Sequence, residues 1–98
     1  MNEQEEVEAA ARVHAQSIVD GDMGTMVLGM TPDGLASAMA LGNSTWNPHA
    51  YELELSSSAG HEFVYTITYR TRDGPLALSE RFRRIDGEWK VVNVQRAE

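Results

Sequence analysis

Arg84-Ile85-Asp86-Gly87-Glu88-Trp89-Lys90-Val91-Val92-Asn93-Val94 is the stretch whose reading decides the fold. Asp86-Gly87 supplies two residues that tolerate positive φ, as a two-residue type I′ turn requires, and the run from Trp89 is rich in β-branched residues. The stretch reads as the last hairpin of an antiparallel sheet. A two-residue turn fixes the pairing: Ile85 opposite Glu88, Arg84 opposite Trp89, Phe82 opposite Val91 and Glu80 opposite Asn93.

Upstream, the same alternation continues. Tyr51, Leu53 and Leu55 alternate with glutamates, and Phe63, Tyr65, Ile67 and Tyr69 alternate with Val64, Thr66, Thr68 and Arg70. A turn centred on Asp73-Gly74 sets Tyr69 opposite Leu78, Ile67 opposite Glu80 and Tyr65 opposite Phe82. The serine run 56–58 reads as part of a longer turn. One face of the sheet is then apolar and suited to a helical cover. The other is polar, with Val64, Val92 and Val94 as an apolar strip. Arg83 opposite Lys90 calls for an acid nearby.

Before residue 49 the period is helical. Asn2 and Glu5 have capping-box spacing for a helix running to Asp20, stopped by Gly21, with His14 on its apolar stripe. Asp22 can cap a short helix holding Met23, Met26, Val27 and Met30. Thr31-Pro32 starts a third, with Leu35 and Leu41, ended by Gly42. Trp46, in the polar loop that follows, needs apolar cover and is expected to close one end of the core. The expected architecture is a single α+β domain over residues 1–98: helices at about 3–41 pack on one face of a curved four-stranded antiparallel meander at about 49–96.

Composition narrows the function. The net charge is −7, with seven acids against Arg12 alone in residues 1–48 and eight acids against seven bases in residues 49–98. A surface so acidic opposes phosphate-backbone binding, so nucleic acid is not an expected partner. No apolar run reaches bilayer length, and the acidic start lacks a signal-peptide pattern. A cytoplasmic location is the default reading. With no cysteine, and with His14, His49 and His61 at no ligand-like spacing, neither a metal nor a cofactor is expected.

Glu80 is the anomaly of the sheet, because alternation aims it at the apolar face. In a row Tyr51–Ile67–Glu80–Asn93, with His14 above it from the first helix, its carboxylate would be desolvated and suited to proton transfer. Glu80 and His14 are therefore the candidate catalytic pair, and Tyr51, Tyr65, Asn93, Trp46 and Met30 the candidate ligand contacts. The alternative is structural: a buried acid satisfied by Asn93, Tyr51, His14 or an arginine.

Gly21-Asp22 after the first helix, Met30-Thr31-Pro32-Asp33 before the third, and Asp86-Gly87-Glu88-Trp89-Lys90-Val91 at the end carry a likeness over nearly the whole chain. It resembles the NTF2-like superfamily, which includes SnoaL-like and ketosteroid-isomerase-like proteins. The resemblance implies a cystatin-like cone with a pocket between helices and sheet, and dimerisation through the sheet's outer face. Matched without gaps, the oxyanion-stabilising tyrosine of the isomerase-like enzymes falls at His14 and their general-base aspartate at Ala38. Alanine cannot remove a proton, so steroid-isomerase chemistry is disfavoured. The leading expectation is a homodimer, paired through Val64, Val92 and Val94, that binds a small apolar or aromatic molecule. Its rivals are a cofactor-independent isomerase or dehydratase using Glu80 and His14, and a protein-interaction module with a filled cone.

Overall fold

The computed structural model describes residues 2–41 and 47–97. Three helices come first, α1 (Glu3–Asp20), α2 (Met23–Leu28) and α3 (Pro32–Met39). Four strands follow: β1 (Ala50–Ala59), β2 (Glu62–Thr71), β3 (Gly74–Ile85) and β4 (Glu88–Arg96). They form one antiparallel sheet in the order β1-β2-β3-β4, with the helices packed on one face. The chain is α+β.

Each helix begins where a side chain can take an orphan amide. Asn2 Oδ1 accepts from Glu5 N at 2.8 Å, and Asn2 N donates to the Glu5 carboxylate at 3.1 Å, which closes the capping box. Asp22 accepts from Thr25 N, and Thr31 Oγ1 accepts from Gly34 N with Pro32 behind it. Gly21 ends α1 at φ 73°, a conformation that a Cβ would strain. α3 stops at Met39, short of Leu41, and the expected stop at Gly42 lies outside the described residues. Met30 has left α2 and bridges to Val91, while Met23 and Val27 face solvent.

The last hairpin turns at Asp86 (φ 52°) and Gly87 (φ 85°), and its pairing holds as far as Phe82 opposite Val91. The preceding turn does not centre on Asp73-Gly74. Its central residues are Arg72-Asp73, with Thr71 Oγ1 accepting from Asp73 N and donating to Gly74 O, and Gly74 takes φ 112° just past the turn. The pairing therefore slides by two, to Tyr69 opposite Leu76, Ile67 opposite Leu78 and Tyr65 opposite Glu80. An even slip leaves every side chain on its expected face. β1 runs on through the serines to turn at Gly60-His61, with Tyr51 opposite Tyr69 and Ser56 bulged out of the ladder.

A second bulge has larger consequences. Arg81 pairs with Asn93 while Phe82 pairs with Val91, so Val92 is an extra residue in β4. From there the strand's alternation inverts. Val94 turns inward, 4% exposed, and sits opposite Glu80, while Asn93 joins Arg81 on the outer face. Two expectations fall together: Asn93 does not stand beside Glu80, and Val94 belongs to the core rather than to an outer apolar strip. Glu62 supplies the acid expected near Arg83, lying 3.7 Å from it and 3.5 Å from Arg81.

Val7, Ala11 and Ala15 carry α1 across Tyr65, Ile67, Tyr69, Leu78, Phe82 and Val91, all fully buried or nearly so. Each large side chain removed from water there contributes roughly 1.5–3 kcal/mol. The free edge of β4 is closed by the segment between α2 and α3 and by α3 itself. Val91 N donates to Gly29 O at 2.8 Å, Thr31 N donates to Val91 O at 3.0 Å, and Val94 N donates to Ser37 Oγ at 2.8 Å. Gly34 packs so closely that a Cβ there would stand 2.1 Å from Val91 O. Gly34→Ala must push α3 off β4 and is expected to lower unfolding free energy by about 3 kcal/mol, read by urea denaturation. An unchanged midpoint would show that α3 is not docked in this way.

Candidate functional site

Glu80 reaches the core because β3 alternates inward at Leu78, Glu80 and Phe82, and it is 1% exposed. Its row is Leu55–Tyr65–Glu80–Val94. His14 descends on it from α1, at the helical spacing that also points Val7, Ala11 and Ser17 inward. His14 Nε2 lies 3.2 Å from Glu80 Oε1, with both side chains nearly inaccessible. The contact has ion-pair distance, and Oε1 makes no hydrogen bond among the described residues. The other oxygen, Oε2, accepts from the Tyr69 hydroxyl at 3.2 Å.

Burial, reinforced by the neighbouring Glu80 carboxylate, pushes the Tyr69 hydroxyl far above the ordinary tyrosine range, so Tyr69 acts as a donor. Phe82 meets the His14 ring edge-on at 6.4 Å and Tyr65 edge-on at 5.9 Å, a dry aromatic wall beside the pair. On the far side of the imidazole, Nδ1 has no hydrogen-bond partner among the described residues. It looks towards the backbone of Gly29, where a Cβ would stand 3.6 Å away. The cluster thus holds a carboxylate touched by an imidazole and a phenol, with Nδ1 and Oε1 unbonded among the described residues and shut off from solvent.

A surface depression of about 380 Å³ opens between α1, the start of α2 and β1. Arg12, Gln16, Ser17, Asp20, Thr25 and Tyr51 form most of its wall, and neither His14 nor Glu80 does. Two of its wall residues are tied to neighbours of that pair. Ser17 Oγ donates to the carbonyl of His14 at 2.6 Å, and Tyr51 pairs with Tyr69, whose hydroxyl holds Glu80. At the rim, the Arg12 guanidinium donates to Glu8, and the neighbouring Tyr51 and Glu8 raise its affinity for its proton.

The structure therefore brings His14 and Glu80 into contact and adds Tyr69. Alternation alone marks Tyr69 only as an inward-facing residue; its hydroxyl reaches Glu80 although the observed register, with Tyr69 opposite Leu76, sets it farther along the strands than the expected one. Tyr51 stands in the wall of the depression. Tyr65 and Met30 are core residues, the first 1% exposed with its hydroxyl unbonded among the described residues. Asn93 is on the outer face, and Trp46 lies outside the described residues. Among the described residues no group of histidine and acidic side chains is arranged to hold a metal ion, and no helix is long and apolar enough to cross a membrane.

Removing one member of a buried pair leaves the other without compensation, whereas replacing both with well-packed apolar groups is often neutral. His14→Leu alone is expected to cost about 3–5 kcal/mol of stability, and His14→Leu with Glu80→Met to recover most of it. Equilibrium denaturation of the two single variants and the double variant measures the coupling. Additive losses would mean that the two side chains do not interact.

No family model matches the chain, and no curated protein matches it. Among solved structures it is similar to a de novo designed protein with a curved β-sheet. The match has a TM-score of 0.60 and 14% sequence identity, and covers 95% of this chain and 100% of the designed one. At that identity the likeness is one of fold.

Proposed function

We propose that the chain is a small-molecule-binding domain of NTF2-like type, with its ligand seated in the depression between α1, α2 and β1. The observation that carries this reading is the position of that depression: its wall residue Ser17 bonds the main-chain carbonyl of His14, and its wall residue Tyr51 pairs across strands with Tyr69, which holds Glu80. A volume of about 380 Å³ suits a ligand of one or two rings. The wall mixes apolar surface, including Val13 and the ring of Tyr51, with polar groups of Gln16, Ser17 and Thr25, so the ligand is an aromatic or apolar ring carrying a hydrogen-bonding group. Thermal-shift titration with phenols, naphthols and indoles is expected to give a saturable rise that Tyr51→Ala removes. An unaltered response in Tyr51→Ala would place the ligand elsewhere.

The second reading is a cofactor-independent isomerase or dehydratase, and the contact between the Glu80 carboxylate and the His14 imidazole favours it. The two groups can pass a proton between them and, if the depression deepens, to a bound substrate. Glu80→Gln keeps the shape and separates the readings: binding retained with turnover lost marks an enzyme, and binding retained with no turnover in either protein marks a carrier.

The assembly proposed is a homodimer through the outer face of the sheet. Val64 and the bulged Val92 sit there among Thr66, Thr68, Ala77 and Ser79, none of them fully exposed and all small enough for close packing of two sheets. Sedimentation at high micromolar concentration is expected to show a dimer that Val64→Glu dissociates. A monomer under those conditions would remove the dimer from the reading.

A further inference from the structure

The two edges of the sheet are treated differently. β4 is closed by backbone and side-chain bonds from Gly29, Thr31 and Ser37. β1 is ten residues long, and its outward amides and carbonyls have no partner among the described residues. An open strand edge is a template for another strand, and proteins usually block it. Here the block is partial. The bulge at Ser56 breaks the ladder halfway along, which leaves a straight open stretch at Ala50–Leu55.

The side chains of that stretch specify a partner. Tyr51, Leu53 and Leu55 point to the helical side and are only half-buried, because no fifth strand covers their flank. Glu52 and Glu54 point to the outer face and are exposed. Glu52 holds Arg70 at 2.9 Å, while Glu54 makes no ion pair among the described residues. An incoming strand must present apolar residues on one side and basic residues on the other, at alternating positions. A second copy of β1 does not meet that demand. Antiparallel pairing about Leu53 sets Glu52 opposite the partner copy's glutamate at 54, and the same clash repeats across the axis.

We propose that the free edge of β1, Ala50–Leu55, is a strand-addition site for an extended segment of another protein in which basic and apolar residues alternate. Main-chain bonds to the open edge give affinity, and Leu53, Leu55 and Glu54 give selectivity. The chain's net charge of −7 steers such a segment towards it.

The test uses the whole protein, isotopically labelled, and a blocked peptide Thr-Lys-Val-Lys-Val-Lys-Thr as probe. Saturable amide shifts centred on residues 50–55, with slowed amide exchange along β1, are expected. N-methylation of the peptide at alternate amides should abolish binding, and Glu54→Lys, at an exposed position, should weaken it several-fold without altering the fold. The proposal is overturned if the N-methylated peptide binds equally well, if shifts spread over the acidic surface of α1, or if millimolar peptide leaves β1 unaffected.

Discussion

A carboxylate taken out of water must be given a partner, and the placement of Glu80 in the core imposes that demand on the whole arrangement. The sheet supplies only half of the answer, the Tyr69 hydroxyl on one oxygen. The other oxygen is met from the helical layer, by His14. α1 therefore cannot slide or roll freely over the apolar face, as an all-aliphatic seam would allow. Val7, Ala11 and Ala15 provide the bulk of the burial, while the His14–Glu80 contact fixes which turn of the helix lies over which strand. Arg84 makes a second such tie near the start of α1, bonded to Glu6 while its guanidinium lies 4.9 Å over the Trp89 ring.

The remaining helices serve the opposite edge. α2 is short and has no fully buried residue, and α3 is held by the tight approach of Gly34 to Val91. Between them, Gly29 to Thr31 runs as a strand-like strip beside β4. The helical layer is thus anchored at two places, at Glu80 through α1 and at Val91 through α3. Both β1 and β4, the outer strands, carry a bulge, the usual device for bending a sheet around its cover. The curved sheet of the designed protein that shares the fold agrees with this geometry.

Local chemistry made much of this legible. Asn2 with Glu5, Asp22, and Thr31-Pro32 announce helix starts because capping depends on neighbours within four residues. Asp86-Gly87 announces its turn for the same reason. The contact of His14 with Glu80 could be anticipated because two independent periodicities, 3.6 along α1 and 2 along β3, both aim inward at those residues. The β2–β3 register was not legible. Asp-Gly serves equally as the central pair of a turn or as its last residue and a following glycine, and only the Thr71 hydroxyl bonds decide between them. The bulge at Val92 was hidden more deeply, since Val91-Val92-Asn93-Val94 is a regular strand on its own. What accompanies the extra residue is distant in sequence, with Ser37 capturing Val94 N and Gly29 and Thr31 holding Val91. Alternation alone therefore sets Asn93 beside Glu80 and Val94 on the outer face, and the bulge reverses both.

The bulge acts as a phase shifter for β4. The strand's first half and second half are half a period out of step, and a single residue, Val92, carries the whole offset. Without it the regular ladder would carry Asn93 to the position opposite Glu80, and the acid would meet a neutral amide within the sheet. With it, an aliphatic side chain takes that position, and the sheet leaves Glu80 Oε1 for the imidazole of α1 to approach. One inserted residue thereby turns what would have been a self-contained sheet contact into a joint between two layers. The state of that joint is open to anything that shifts α1, including a guest in the depression along its flank.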